Sequence, residues 1–292
     1  MRAFWIKPYD HTVNFDDAAH IVADIPGPHI PARRASLLYK HIRNYRPENL
    51  LELGTARGGS AVFMASALAE NGIGHLTSVD STRWKWENPT PLEVLEKAGL
   101  SQFVTLDKNF STYAWFLKGE LESCMDADGL VRPKYDFIFL DGAKNWSTDG
   151  ITVIIAERLL RPGGWLLLDD LGWNYKQHAP DKKRHYEIDV EKLSESERSE
   201  PHLRAVFDLL VRTNPAFDEF VVQDDWWGWA RKSPPAGPAG NGVGHLVKPQ
   251  DAVRPPDAVK PGVGGVGALL RRSRRARSHR ARTDRSAAAG PG

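Results

Sequence analysis

The segment GGWLLLDDLGW, residues 163–173, ends an apolar run with two adjacent carboxylates, Asp169 and Asp170. Such a run reads as a buried strand, where an acid is costly unless it is paired or coordinated. A second apolar run, YDFIFLD, closes on Asp141, with Lys144 three residues later, and a third, HLTSVD, closes on Asp80. Acids in these positions can accept hydrogen bonds from a ligand, move protons or offer oxygen to a hard cation. Asp80 in particular is placed to accept hydrogen bonds from a ribose. A fourth run, NLLELG, leads into Gly54, Gly58 and Gly59, which let the backbone turn sharply and approach a ligand closely. No Lys follows these glycines, so a phosphate-cradling P-loop is disfavoured, and their spacing is not the GxGxxG dinucleotide fingerprint.

The elements that must carry these residues alternate. Strands are expected at 49–54, 75–80, 103–107, 135–141 and 164–170, and helices at 32–44, 58–70, 90–98, 110–122 and 147–160. Alternation of this kind implies a parallel sheet with helices on both faces. Ligands of open α/β sheets bind beyond the carboxyl ends of the strands, so Asp80, Asp141 and Asp169 should gather on one rim. Downstream, PHLRAVFDLLVRT reads as a helix with Leu203, Val206, Phe207 and Leu210 on one face. FDEFVVQ and WWGWARK read as a hairpin joined at Asp224 and Asp225, with Trp226, Trp227 and Trp229 in the core. Residues 174–200 are polar and longer than an ordinary connection, the character of a lid. Trp146 and Trp173 would wall the space beneath it. His178 and His185 read either as extra ligands or bases, or as solvated loop histidines.

Composition bounds the alternatives. The chain has 292 residues, 41% of them hydrophobic, enough to bury a substantial core. MRAFWIKPYD lacks the apolar stretch of a secretory signal, and no run is long enough to span a membrane. A single cysteine, Cys124, leaves no intrachain disulfide or cysteine-built zinc site. A cytoplasmic location is expected. Residues 232–292 hold 12 Lys or Arg against 3 Asp or Glu, so the excess positive charge sits in a Pro/Gly/Arg-rich tail and the body, residues 1–231, is acidic. The tail is expected to be disordered. Its basic run can meet nucleic acid or an anionic surface, although the acidic body argues against a nucleic-acid partner.

The sequence E-L-G-T-x-x-G-x-S after an apolar strand, the acid closing the second strand and D-x-x-K after the fourth together resemble the class I S-adenosylmethionine-dependent methyltransferases. The similarity is closest to the cation-dependent O-methyltransferases that include the catechol and caffeoyl-coenzyme A enzymes. It covers about residues 32–173. It implies a Rossmann-like α/β fold, a mostly parallel seven-stranded sheet ending in an antiparallel hairpin. It also implies S-adenosyl-L-methionine as cofactor, held by Glu52, Gly54, Thr55, Gly58, Ser60, Asp80, Asn109, Phe110, Ser111 and Asp141. Trp84 and Trp86 could flank its ribose or adenine, or be surface packing.

In that group the fourth strand ends in a metal-binding Asp and the fifth in Asp-Asn. The resemblance therefore assigns Mg²⁺, or another hard divalent cation, to Asp141, Asp169 and Asp170, with Asp170 standing where the Asn is usual. Lys144 would be the base, its pKa depressed by the cation. Trp146, in place of a usual Tyr, and Trp173 would face the acceptor. The expected activity is methyl transfer to a hydroxyl of a small phenolic, sugar or natural-product acceptor, with a homo-oligomer compatible with this reading. The competing readings are a metal-independent methyltransferase, an NAD-type oxidoreductase, which would explain Gly54 and Asp80 but not the three other acids, and an RNA-binding or RNA-modifying protein.

Overall fold

The computed structural model of the protein describes residues 11–26, 30–81 and 88–234. Trp84, Trp86 and the tail from residue 235 onward lie outside the described residues. Helix α1 (Phe15–Ala23) precedes the expected core and begins at a reciprocal cap, in which the Asn14 side chain accepts from the amides of Asp16 and Asp17 and Asp17 accepts from the amide of Asn14. Then follow α2 (Ala32–Tyr45), β1 (Asn49–Leu53), α3 (Gly59–Asn71), β2 (His75–Ser81), α4 (Pro91–Lys97), β3 (Val104–Phe110), α5 (Tyr113–Ser123), β4 (Tyr135–Leu140), α6 (Trp146–Leu159) and β5 (Leu160–Leu168). Beyond β5 come α7 (Tyr175–His178), the two-residue strands β6 (Arg184–His185) and β7 (Ile188–Asp189), α8 (Glu195–Ser199), α9 (His202–Val206), β8 (Phe217–Gln223) and β9 (Trp227–Lys232).

The seven long strands form one sheet in the order β3-β2-β1-β4-β5-β9-β8. Every pair among the first five is parallel, and β9 runs antiparallel to both β5 and β8. The expected α/β class, seven-stranded sheet and closing hairpin are all present. Strands buried on both faces need apolar side chains on both, and they have them: Leu50 and Phe137 face the cluster with α1 to α4, while Leu51 and Ile138 face the one with α5, α6 and α9. Trp227 and Trp229 are in the core as expected. The strand order reverses between β1 and β4, and at such a switch the loops on either side diverge and leave a crevice at the carboxyl ends.

Several boundaries differ, two of them as follows. Strand β5 starts at Leu160 rather than 164, through Pro162, Gly163 and Gly164, where the pairing with β4 shifts register. Pro and Gly read as a turn but here serve a bulge, and a Cβ at position 164 would lie 2.8 Å from the Asp136 carbonyl oxygen. The helix expected after the lid is α-helical only over α9 and continues as a π-helical turn, Phe207–Val211. The wider turn buries Val211, while Leu210 is only half-buried.

Candidate active site

The glycine turn is built by backbone geometry. Gly54 has φ +118° and Gly58 φ +82°, and a Cβ on Gly54 would lie 2.4 Å from the carbonyl oxygen of Asp141. The chain thereby passes from β1 to α3 in direct contact with the end of β4. Glu52 and Ser60, expected at the cofactor, face inward. The Glu52 carboxylate is fully buried and accepts from the hydroxyls of Ser60 and Ser78, the latter at 2.5 Å, while Ser78 also bonds Thr55 at 2.7 Å. Burial pushes the Glu52 carboxyl up to about 8 despite those hydrogen bonds. The network ties β1, β2, the turn and the first turn of α3 together. Ser78 gave no chemical signal in the sequence beyond being polar within an apolar strand.

Asp80 is buried at the end of β2. Its Oδ2 accepts from the amide of Ala56 in the glycine turn at 2.8 Å, and its Oδ1 from the amide of Ser81 at 2.7 Å and the hydroxyl of Tyr113 at 3.1 Å. The predicted turn and the predicted acid are thus one unit. Tyr113 comes from the start of α5, which Thr112 caps by accepting from the amide of Trp115. Because β3 runs on to Phe110, Asn109 lies in a strand and is exposed, with its amide donating to Asp107. Phe110 packs edge-on against Phe116 at 5.2 Å, and the Ser111 carbonyl accepts from the Ser81 hydroxyl at 2.9 Å.

The structure gathers the remaining acids as the strand pattern implied. Asp141 follows β4, and Asp169 and Asp170 follow β5. Lys144 Nζ donates to Asp141 Oδ1 at 2.8 Å and also pairs with Asp170 Oδ2. Lys144 and Asp170 both adopt left-handed backbone conformations, φ 60° and 61°. Asp169 Oδ1 accepts from the Asp170 amide at 2.6 Å and lies 3.7 Å from Arg34 Nη1, a partner on α2 that no motif announced. Burial and the neighbouring carboxylates raise the Asp169 carboxyl well above its ordinary value. Asp141 is raised too, by burial against the opposing pull of Lys144. The Lys144 ammonium, expected to be depressed beside a bound cation, is raised among its carboxylates alone: burial lowers it, but the attraction of Asp141, Asp170 and Asp169 outweighs that. Among the described residues no group of three or more His, Cys, Asp or Glu is disposed around a common metal position. Here Lys144 stands between two of the expected ligands.

Trp146 opens α6 and is 43% exposed, with its amide donating to His202 Nδ1 at 3.2 Å. The Trp173 ring lies parallel to those of His185 at 5.3 Å and His178 at 6.0 Å and edge-on to Tyr175 at 4.8 Å. His178 and His185, both within residues 174–200, thus pack against Trp173. Burial pulls His185 down to about 4, with Lys182 and Lys144 adding to the effect, and its buried Nδ1 has no hydrogen-bond partner. Tyr186, also missed by sequence reasoning, packs its ring 6.1 Å from that of Tyr113. No helix among the described residues is long and apolar enough to cross a membrane.

Comparison with known proteins follows the same outline. Residues 51–171, from β1 to just past Asp170, match the family described as a methyltransferase domain. No curated protein matches the chain. Among solved structures, a Staphylococcus aureus protein proposed to be a caffeoyl-CoA O-methyltransferase is 19% identical, with a TM-score of 0.50, over 75% of this chain and 92% of that one. The O-methyltransferase from Bacillus cereus in complex with SAH is 17% identical, with a TM-score of 0.48, over 77% and 92%. Residues 51–171 thus match a methyltransferase domain, and the chain shares its fold with the Staphylococcus aureus structure.

Proposed function

We propose that the protein is an O-methyltransferase that transfers the methyl group of S-adenosylmethionine to a hydroxyl of a small molecule, assisted by a hard divalent cation. The observation that carries this reading is the meeting of two features at the strand ends: Asp80 bonded to the glycine turn, and Asp141 and Asp170 paired to Lys144 with Asp169 next to Asp170. Asp80 would accept hydrogen bonds from the ribose, and the turn from Gly54 to Gly58 would give the cofactor close access to backbone. Glu52 and Ser60 support that turn from within.

The donor set at the acid cluster fits a hard cation. Asp141, Asp169 and Asp170 bring three carboxylates, and the positive groups bonded or paired to them are Lys144 and Arg34. Oxygen-only ligands suit Mg²⁺ or Mn²⁺ rather than zinc, and Asp170 supplies a carboxylate oxygen where related sites use an amide. When bound, such an ion supplies positive charge that lowers the pKa of an acceptor hydroxyl. Lys144 then holds or receives a proton next to Asp141, while Trp146 and Trp173 offer apolar surface to the rest of the acceptor. Residues 174–200 serve as the lid over it.

A second reading is favoured by one specific contact. Lys144 bridges Asp141 and Asp170, so the ammonium itself can neutralise the cluster, as a metal-independent methyltransferase would require. Calorimetry with S-adenosylhomocysteine tests the cofactor assignment, and methyl transfer with and without EDTA separates the two readings. Absence of heat in the first measurement would remove both.

A further inference from the structure

Arg34 lies on α2 beside the acid cluster and is poorly satisfied there. Its side chain is 21% exposed, and Nη1 stands 3.7 Å from Asp169 Oδ1, an ion pair longer than a hydrogen bond. Among the described residues no atom accepts a hydrogen bond from the N–H donors of its guanidinium. The acids of the β8–β9 turn do not serve it, because Asp224 pairs with Arg33 at 3.0 Å and Asp225 with Arg204 at 3.3 Å. A guanidinium largely withdrawn from water with one distant carboxylate has most of its donor capacity unused, and such a charge is costly until a closer partner arrives.

The guanidinium is nevertheless held in place. Its Cζ lies 5.2 Å from the centroid of the Trp226 ring, a cation–π contact. Trp226 is itself fixed against the loop that carries the acids: its carbonyl accepts from the Leu171 amide at 2.9 Å, and a Cβ on Gly172 would lie 3.0 Å from its ring. The Trp226 ring is edge-on to His178 at 5.6 Å, and His178 is parallel to Trp173 at 6.0 Å. A row of rings therefore runs from Arg34 to Trp173, the apolar surface offered to the acceptor. A planar acceptor along this row, with its hydroxyl at the acid cluster, has a neighbouring substituent within reach of Arg34. The charge balance selects that substituent. Asp141, Asp169 and Asp170 outnumber Lys144 and Arg34, so a phosphate dianion meets more repulsion than a monoanion. A planar carboxylate also matches the guanidinium fork with two parallel hydrogen bonds.

We propose that Arg34 sets the acceptor specificity: its guanidinium, seated on Trp226, binds the carboxylate of an aromatic hydroxy acid whose hydroxyl is methylated at the acid cluster. This rests on the O-methyltransferase reading and names its acceptor class. Arg34 binds the acceptor in the ground state and the transition state alike, so it governs KM rather than kcat. A neutral ester of the same acid leaves the guanidinium without its partner and is discriminated against.

Methyl transfer by the full chain, with S-adenosylmethionine and Mg²⁺, is measured on matched pairs: 3,4-dihydroxybenzoate and 3,4-dihydroxycinnamate, each against its methyl ester. Wild type should favour the acids by about 10-fold or more in kcat/KM. Arg34→Gln should raise KM for the acids by about 10–100-fold, the range for hydrogen bonds to a charged group, with kcat and both esters unchanged. Arg34→Lys keeps the charge without the fork and should recover part of the loss. Were Arg34 only a counter-ion of Asp169, Arg34→Gln would lower kcat on acid and ester alike, and that result overturns the proposal. So does a wild type that uses the esters as well as the acids, or one that binds S-adenosylhomocysteine by calorimetry and methylates neither acid. Wild type that binds no S-adenosylhomocysteine instead overturns the methyltransferase reading beneath it.

Discussion

Gly54 faces the Asp141 backbone so closely that a side chain at 54 would begin 2.4 Å from the Asp141 carbonyl oxygen. The contact joins the end of β1 to the end of β4, and therefore the cofactor turn to the acid cluster. Gly54→Ala adds both this clash and the cost of φ +118°, a conformation that L side chains rarely adopt. It should destabilise the protein by about 2 kcal/mol or more and abolish binding of S-adenosylhomocysteine. Denaturant unfolding and calorimetry check the two effects. A variant as stable as wild type with unchanged affinity would show that the turn relaxes without consequence.

Asp80 is the carboxylate through which the ribose is proposed to be held. Removing it by Asp80→Ala deletes a charge-assisted acceptor, and the expected loss is about 1.5–3 kcal/mol of cofactor affinity, or roughly 10- to 100-fold. Asp80→Asn retains the shape and should recover only part of it. Equal affinities for wild type, Asp80→Ala and Asp80→Asn would place the ribose elsewhere.

Glu52 provides a pH test of the network under the turn. Its folded pKa of about 8 lies above its ordinary 4.5, so between those values the folded state holds a proton that the unfolded chain has released. Stability from this group therefore falls as pH rises through that window, by at most about 1.4 kcal/mol per pH unit. His41 and His185, pulled down by burial to about 3 and about 4, work in the opposite direction below pH 6.5. Above it they are neutral in both states. Glu52→Gln has no charge to acquire, and its stability should decline less than that of wild type between pH 6.5 and 8. Parallel stability curves over this range would mean that Glu52 is ionised in its buried site.

Much of this architecture was legible in the sequence, because strands buried on both faces must be continuous apolar runs and their ends are marked by the first acid or glycine. The runs ending in Asp80, Asp141 and Asp169 were found that way, and the topology brought the last two to neighbouring strand ends. What sequence reasoning missed belongs to pairings across the fold. Arg34 reaches Asp169 from α2, Ser78 reaches Glu52 from the adjacent strand, and Tyr113 and Tyr186 meet across separations that no local pattern encodes. The expected helix at 110–122 began too early for a related reason. Asn109 and Phe110 have weak preferences of their own, and pairing of Phe110 with Ser81 extends β3 over them.

The contact of Lys144 with Asp141 and Asp170 sets up the most discriminating experiment. If a divalent cation is to use those carboxylates, the ammonium must share or yield them, so ion and lysine compete for the same oxygens. Lys144→Ala should then bind Mg²⁺ or Mn²⁺ at least as tightly as wild type, measured by calorimetry with S-adenosylhomocysteine present, while methyl transfer falls by about 10²–10⁴-fold, the range for loss of a general base. Asp169→Ala should lose both the ion and the activity. EDTA should stop transfer but leave cofactor binding intact, since Asp80 and the glycine turn hold the cofactor through different groups. A metal-independent enzyme gives the opposite pattern: no heat with either ion, full turnover in EDTA, and a Lys144→Ala protein destabilised by Asp141 and Asp170 left without their bridging cation. The second pattern would assign Lys144 the role of permanent counter-ion and move the search for a base to the lid, where His185 stands with an unpartnered Nδ1.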